Sequence, residues 1–123
     1  MLDTHALLWA LSAPTRLPAP TSAAIRDPSN AVYVSAASVW EIAIKTALGK
    51  LTADLDEIVQ SAVAVGFEEV PVTLLHARRV FALPPHHRDP FDRMLVAQAF
   101  EEGLTLVTRD PSFAAYRVPT AWG

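Results

Sequence analysis

A chain of 123 residues has room for one domain around one core, expected here to span residues 1–123. With 51% hydrophobic and 19% charged residues it is not a disordered chain, and the absence of cysteine excludes a disulfide framework or a thiolate metal site. The net charge of −3 does not exclude a nucleic-acid partner: with four acids withdrawn into a metal-binding cluster, ten basic residues would face nine acidic ones elsewhere.

The ten prolines gather between periodic segments, notably Pro14–Pro20 and Pro84–Pro90, and act as punctuation. Ala31–Val34 is short, β-branched and aromatic, and predicts a strand. Ser35 or Ser38 caps the helix that follows, which runs through Trp40 to about Leu48 and stops at Gly49. Asp54, with Glu57 three residues on, opens a helix that ends at Gly66. Phe67–Val70 predicts a further strand, and Thr73 caps a helix over Leu74–Ala82. Asp89–Pro90–Phe91–Asp92 is the clearest start in the chain: an N-cap acid, a proline at the first helical position and an acid in the first turn. That helix continues through Met94–Phe100 and ends at Gly103. Leu104–Thr108 is expected to be a strand buried on both faces, with a last short strand near Tyr116–Pro119. Strands separated by helices imply parallel pairing. The expected fold is therefore α/β, a three-layer α/β/α sandwich with a short, mostly parallel central sheet.

In open sheets of this kind ligands bind beyond the carboxyl ends of the strands. Asp3 follows Met1–Leu2, Asp110 follows Leu104–Thr108, and Asp92 opens the helix leading into that last strand. Glu41 lies inside a helix that is apolar on most sides, where an unpaired carboxylate is costly. Each acid has an ordinary explanation on its own. Asp89 and Asp92 complement a helix start, Glu41 can pair with Lys45 at i,i+4, Asp110 opens a turn before Pro111, and Asp3 is a charge near a terminus. As a set they are hard oxygen donors on separate elements. Such a set suits Mg²⁺ or Mn²⁺ and the attack of activated water on a phosphodiester, without a histidine, serine or cysteine nucleophile.

Four segments carry a resemblance. Leu2–Trp9 (LDTHALLW), Val34–Lys45 (VSAASVWEIAIK), His87–Ala99 (HRDPFDRMLVAQA) and Leu106–Phe113 (LVTRDPSF) resemble, in order and over nearly the whole chain, the motifs of PIN-domain proteins of the VapC toxin type. The resemblance implies one or two Mg²⁺ or Mn²⁺ ions held by Asp3, Glu41, Asp92 and Asp110. Asp89 would assist, and Thr4 and Thr108 would orient a carboxylate or a bound water. It also implies an endoribonuclease with a small antitoxin partner and a homodimeric assembly. Proteins of that family carry a few more apolar residues before the first aspartate. Here only Met1 and Leu2 precede Asp3, which leaves either a shortened chain start or a very short first strand.

Lys45, Arg88, Arg93 and Arg109 lie in or beside these motifs and are candidate contacts to RNA phosphates, the alternative being solvated surface or pairing with the acids. Lys50 reads as solvated surface. The adjacent His86 and His87 point apart in an extended segment and read as ordinary loop residues, while His5 and His76 read as structural or incidental. Trp9 and Trp40 fit the core or a protein–protein surface better than base stacking. No apolar run of 18 residues and no signal peptide is visible, and a cytoplasmic protein is expected. Two other readings compete. A PIN-type nuclease acting on DNA would need a helical arch for which this chain has little room. A non-catalytic scaffold or receiver-like domain would need either a lost acid or a late lysine, and no lysine follows Lys50.

Overall fold

The computed structural model describes residues 1–123, and its sheet is parallel throughout. Strand β1 (Tyr33–Ser35) pairs with β2 (Glu68–Val70), and β3 (Leu106–Val107) with β4 (Thr120–Ala121). The two pairs are joined by a single residue, Leu2, which bridges Val34 on one side and Val107 on the other. The Leu2 amide donates to the Tyr33 carbonyl at 2.9 Å and the Asp3 amide to the Val107 carbonyl at 3.0 Å. The centre of the sheet is therefore a very short first strand, and the order is β2–β1–Leu2–β3–β4.

Strand alternation sends neighbouring residues to opposite faces, and this builds the layers. Met1, Val70 and Leu106 pack into one buried cluster with Leu95, Val96 and Phe113; Leu2 and Val34 pack into the other with Leu7, Ile42 and Ile58. Helices α1 (Thr4–Ser12), α3 (Ala36–Ala47) and α4 (Leu55–Ala64) cover the second face, with Ile25 of α2 (Ala19–Arg26) packed at its margin. Helices α5 (Leu74–Ala82) and α6 (Pro90–Glu102) cover the first. This is the expected three-layer α/β/α arrangement.

The helix starts follow the local chemistry. Ser35 caps α3 by accepting from the Ala37 amide, Asp54 caps α4 by accepting from Glu57, and Asp89 caps α6 with Pro90 at its first position. Thr73 and His76 form a reciprocal capping box at the start of α5. Helix α6 ends at Gly103, whose φ of 65° is left-handed backbone that a side chain would strain.

The first two strands lie within two residues of expectation, at Tyr33–Ser35 for Ala31–Val34 and at Glu68–Val70 for Phe67–Val70, and the last two depart further. The strand expected over Leu104–Thr108 is only Leu106–Val107; Leu106 and Thr108 are buried, whereas Thr105 faces solvent. The strand expected near Tyr116–Pro119 is instead the end of a 3₁₀ helix over Pro111–Tyr116, and the last strand lies further on at Thr120–Ala121. Phe113 and Tyr116 explain the shift. Three residues apart, they share one side of a 3₁₀ turn and both enter the core, which an extended segment would not allow.

Candidate functional site

A cleft of about 370 Å³ opens at the carboxyl ends of the central strands. Asp3, Glu41, Asp92 and Asp110 all line it, as does Asp89, together with Thr4, His5, Lys45 and Arg109. Four elements deliver the four acids: the junction of the first strand with α1, the middle of α3, the first turn of α6, and the turn after β3. Five of the thirteen acids and two of the ten Lys and Arg residues lie here, so the rest of the chain carries eight of each. The net charge of the molecule is the charge of this cleft.

Each carboxylate is held differently. Asp3 is buried and accepts the Ala6 amide at 2.8 Å as the N-cap of α1. Burial raises its pKa, while the Ala6 amide and the Thr108 hydroxyl act against the rise. Glu41 is 4% exposed and has two partners, the Thr4 hydroxyl at 2.6 Å and the Lys45 ammonium. The i,i+4 pair anticipated from sequence thus exists, and Thr4 orients the acid. Asp110 accepts the amide and the hydroxyl of Ser112, which lower its pKa. Thr108 accepts the Asp110 amide at 3.1 Å, fixing the turn from behind.

Asp92 has no such support. Its side chain makes no hydrogen bond or ion pair, and burial together with the charges of Asp89, Glu41 and Asp3 pushes its pKa up to about 7. A half-buried carboxylate facing three others is a strong local demand for positive charge. No three of these side chains converge on one point at coordination distance, however. Mg²⁺ commonly keeps several waters and takes only one or two carboxylates directly, so a water-bridged ion does not require such convergence. The all-oxygen donor set and the unpartnered Asp92 fit a hard dication.

The basic candidates divide. Lys45 is tied to Glu41, and Arg109 lies over the Trp9 ring at 4.9 Å on the edge of the cleft. Arg88 is exposed on the loop before α6. Arg93 is placed otherwise: its guanidinium donates to the Val80, Leu83 and Pro84 carbonyls, closing the end of α5 onto α6. Trp9 is half-buried as expected of a packing residue, but Trp40 is 61% exposed and meets Phe91 edge-on at 5.2 Å. His76 is buried in a polar chain with Gln98 and Ser35 that bridges α5, α6 and β1.

His87, expected from sequence to be an ordinary loop residue, is instead held beside the cleft. Its ring nitrogens lie 3.0 Å from the Tyr116 hydroxyl and 2.7 Å from the Ser112 hydroxyl, and Nε2 is 3.5 Å from Asp110. Its neighbour His86 packs edge-on against Tyr116 and stays exposed. A signal was present in the Asp-x-Ser spacing of Asp110 and Ser112, which favours a local turn with a free hydroxyl, but nothing in sequence links it to His87.

No helix is long and apolar enough to cross a membrane. In comparison with known proteins, the chain is 32% identical to Ribonuclease VapC22 of Mycobacterium tuberculosis, an alignment covering 99% of this chain and 97% of that protein. The PIN domain family profile matches residues 1–119, a stretch that includes every acid of the cleft. The cleft thus lies within a recognised PIN domain, and the chain belongs to the PIN-domain family.

Proposed function

We propose that this chain is a VapC-type endoribonuclease, a single PIN-like domain that cleaves RNA with one or two Mg²⁺ or Mn²⁺ ions and serves as the toxin of a toxin–antitoxin pair. The observation that carries the reading is the shared cleft: acids from four separated elements face one space at the carboxyl edge of a parallel sheet. Likeness to a protein named a ribonuclease supports the reaction class. A small antitoxin, a homodimeric assembly and a cytoplasmic setting belong to the same reading.

The ion would be held by Asp3, Glu41, Asp92 and Asp110, and when bound it supplies an activated water and neutralises charge developing on the phosphate. The protein's own groups prepare that event. Thr4 fixes the rotamer of Glu41, the Ala6 amide fixes Asp3, and Ser112 fixes Asp110, so three of the four acids are pre-oriented. Asp89 satisfies the first amides of α6 and adds negative potential beside Asp92. Arg109 at the rim and Arg88 on the adjacent loop supply cations for the phosphates flanking the scissile bond. Lys45 neutralises Glu41 and lies where it can also meet a phosphate.

Purified protein is expected to cleave RNA with added Mn²⁺ or Mg²⁺ and to stop with excess chelator. Asp92→Asn should lower the rate by about 100-fold or more while keeping a wild-type circular dichroism spectrum. Equal cleavage by the two proteins would remove Asp92 from the site.

A further inference from the structure

Asp110 is the most exposed of the four acids, with 46% of its side chain open to solvent at the mouth of the cleft. A carboxylate so placed samples several rotamers unless something fixes it. Ser112 donates its amide at 2.9 Å and its hydroxyl at 2.6 Å, both to Oδ1 of Asp110. A hydroxyl has one proton, and here it goes to Asp110, so the 2.7 Å contact between Ser112 Oγ and His87 Nε2 requires the imidazole to donate. Nδ1, on the other side of the ring, lies 3.0 Å from the Tyr116 hydroxyl. The contacts link Tyr116 through His87 and Ser112 to the acid, and Nε2 also lies 3.5 Å from Oδ2 of Asp110. The ring is held by packing as well, stacked at 15° on Tyr116 and 4.8 Å from Phe113, with only 11% of its side chain exposed.

We propose that His87 and Ser112 form a clamp that positions Asp110 for the dication and fixes the turn bearing it against the loop that opens α6. The inference rests on the reading of the cleft as a metal site. His87 stands five residues before Asp92 and two before Asp89, so the clamp ties one wall of the cleft to the other. Both residues act through Asp110 and are positioning residues. The outer shell of a metal site commonly works in this way, with a second group holding the ligand at the angle the ion needs.

The test is Mn²⁺ binding by the metal-stripped full chain, measured by titration calorimetry alongside RNA cleavage. The variants are Ser112→Ala, His87→Leu, His87→Gln, the Ser112→Ala/His87→Leu pair, Asp110→Asn and Asp92→Asn. Ser112→Ala and His87→Leu are each expected to weaken Mn²⁺ binding by ~10-fold, and the double variant by no more than either alone, because they are links of one chain. A glutamine side chain can place an N–H where Nε2 stands, so His87→Gln is expected to recover affinity to within ~3-fold of wild type. In cleavage assays the loss should appear in kcat at limiting Mn²⁺ and vanish at saturating Mn²⁺, with KM for RNA unchanged. Ser112 is exposed, so Ser112→Ala carries the test even if His87→Leu fails to fold. Wild-type Mn²⁺ affinity in Ser112→Ala, with Asp110→Asn weakened, would overturn the clamp and leave the metal reading standing. If Asp110→Asn and Asp92→Asn also bind Mn²⁺ as wild type does, the metal reading itself fails.

Discussion

Asp92 is the residue whose surroundings and chemistry are most at odds, and the conflict has a measurable sign. Its carboxyl group is pushed up to about 7, by burial first and then by the charges of Asp89, Glu41 and Asp3, with His87 acting in the opposite direction. A carboxyl that binds its proton more tightly in the folded state contributes stability in full below the ordinary aspartate range. That contribution is lost as pH rises through the folded value. In chelator, the protein is therefore expected to lose stability between about pH 4 and 7 on account of this one group. Asp92→Asn should flatten that part of the profile. Thermal unfolding of both proteins in chelator across that range checks it, and superimposable slopes would mean that Asp92 is an ordinary surface acid. Added Mn²⁺ should remove the difference from the opposite direction, by stabilising the ionised form.

At the scale of elements, Arg93 shows how a basic residue in a motif can serve the fold instead of the substrate. Its guanidinium donates to the Val80, Leu83 and Pro84 carbonyls, at and just beyond the end of α5, and so ties the end of that helix to α6. Arg93→Ala is expected to cost about 1–3 kcal/mol in urea unfolding and to leave kcat/KM of the folded enzyme within about twofold of wild type. A variant that unfolds like wild type but cleaves tenfold more slowly would return Arg93 to the RNA surface. The same distinction governs what was legible in the sequence. Caps and stops were legible at Ser35, Asp54, Thr73, Asp89–Pro90 and Gly103, because an N-cap or a left-handed glycine is a one-residue interaction with its own neighbours. The 3₁₀ helix at Pro111–Tyr116 was not, because what decides it is the burial of Phe113 and Tyr116 against α6, a tertiary event. The four acids were legible through the order of the motifs. The contacts of Trp40 with Phe91 and of His87 with Ser112 were not, since both depend on elements 25 or more residues away.

For the molecule as a whole, the cleft stands where the layers meet and concentrates the net negative charge of the chain. Glu41 comes from the α3 side of the sheet, Asp92 from the α6 side, and Asp3 and Asp110 from the sheet between them. A dication bound there would join both cores through the one place where their acids repel, so its binding energy should appear as global stability and not as local ordering. At a Mn²⁺ concentration of 100 times Kd the linkage is ~2.7 kcal/mol, which for a chain of this size raises Tm by about 10 °C. Wild type and Arg93→Ala should show the same rise, because Arg93 lies outside the cleft, whereas Asp92→Asn and Asp3→Asn should show little of it. Differential scanning calorimetry with Mn²⁺ and with chelator measures the shift. The rise should occur in a single transition, since an ion that braces both faces of the sheet cannot stabilise one layer and leave the other behind. Two separated transitions, only one of them moving with Mn²⁺, would show that the acids belong to a single element's surface and that the ion does not span the fold.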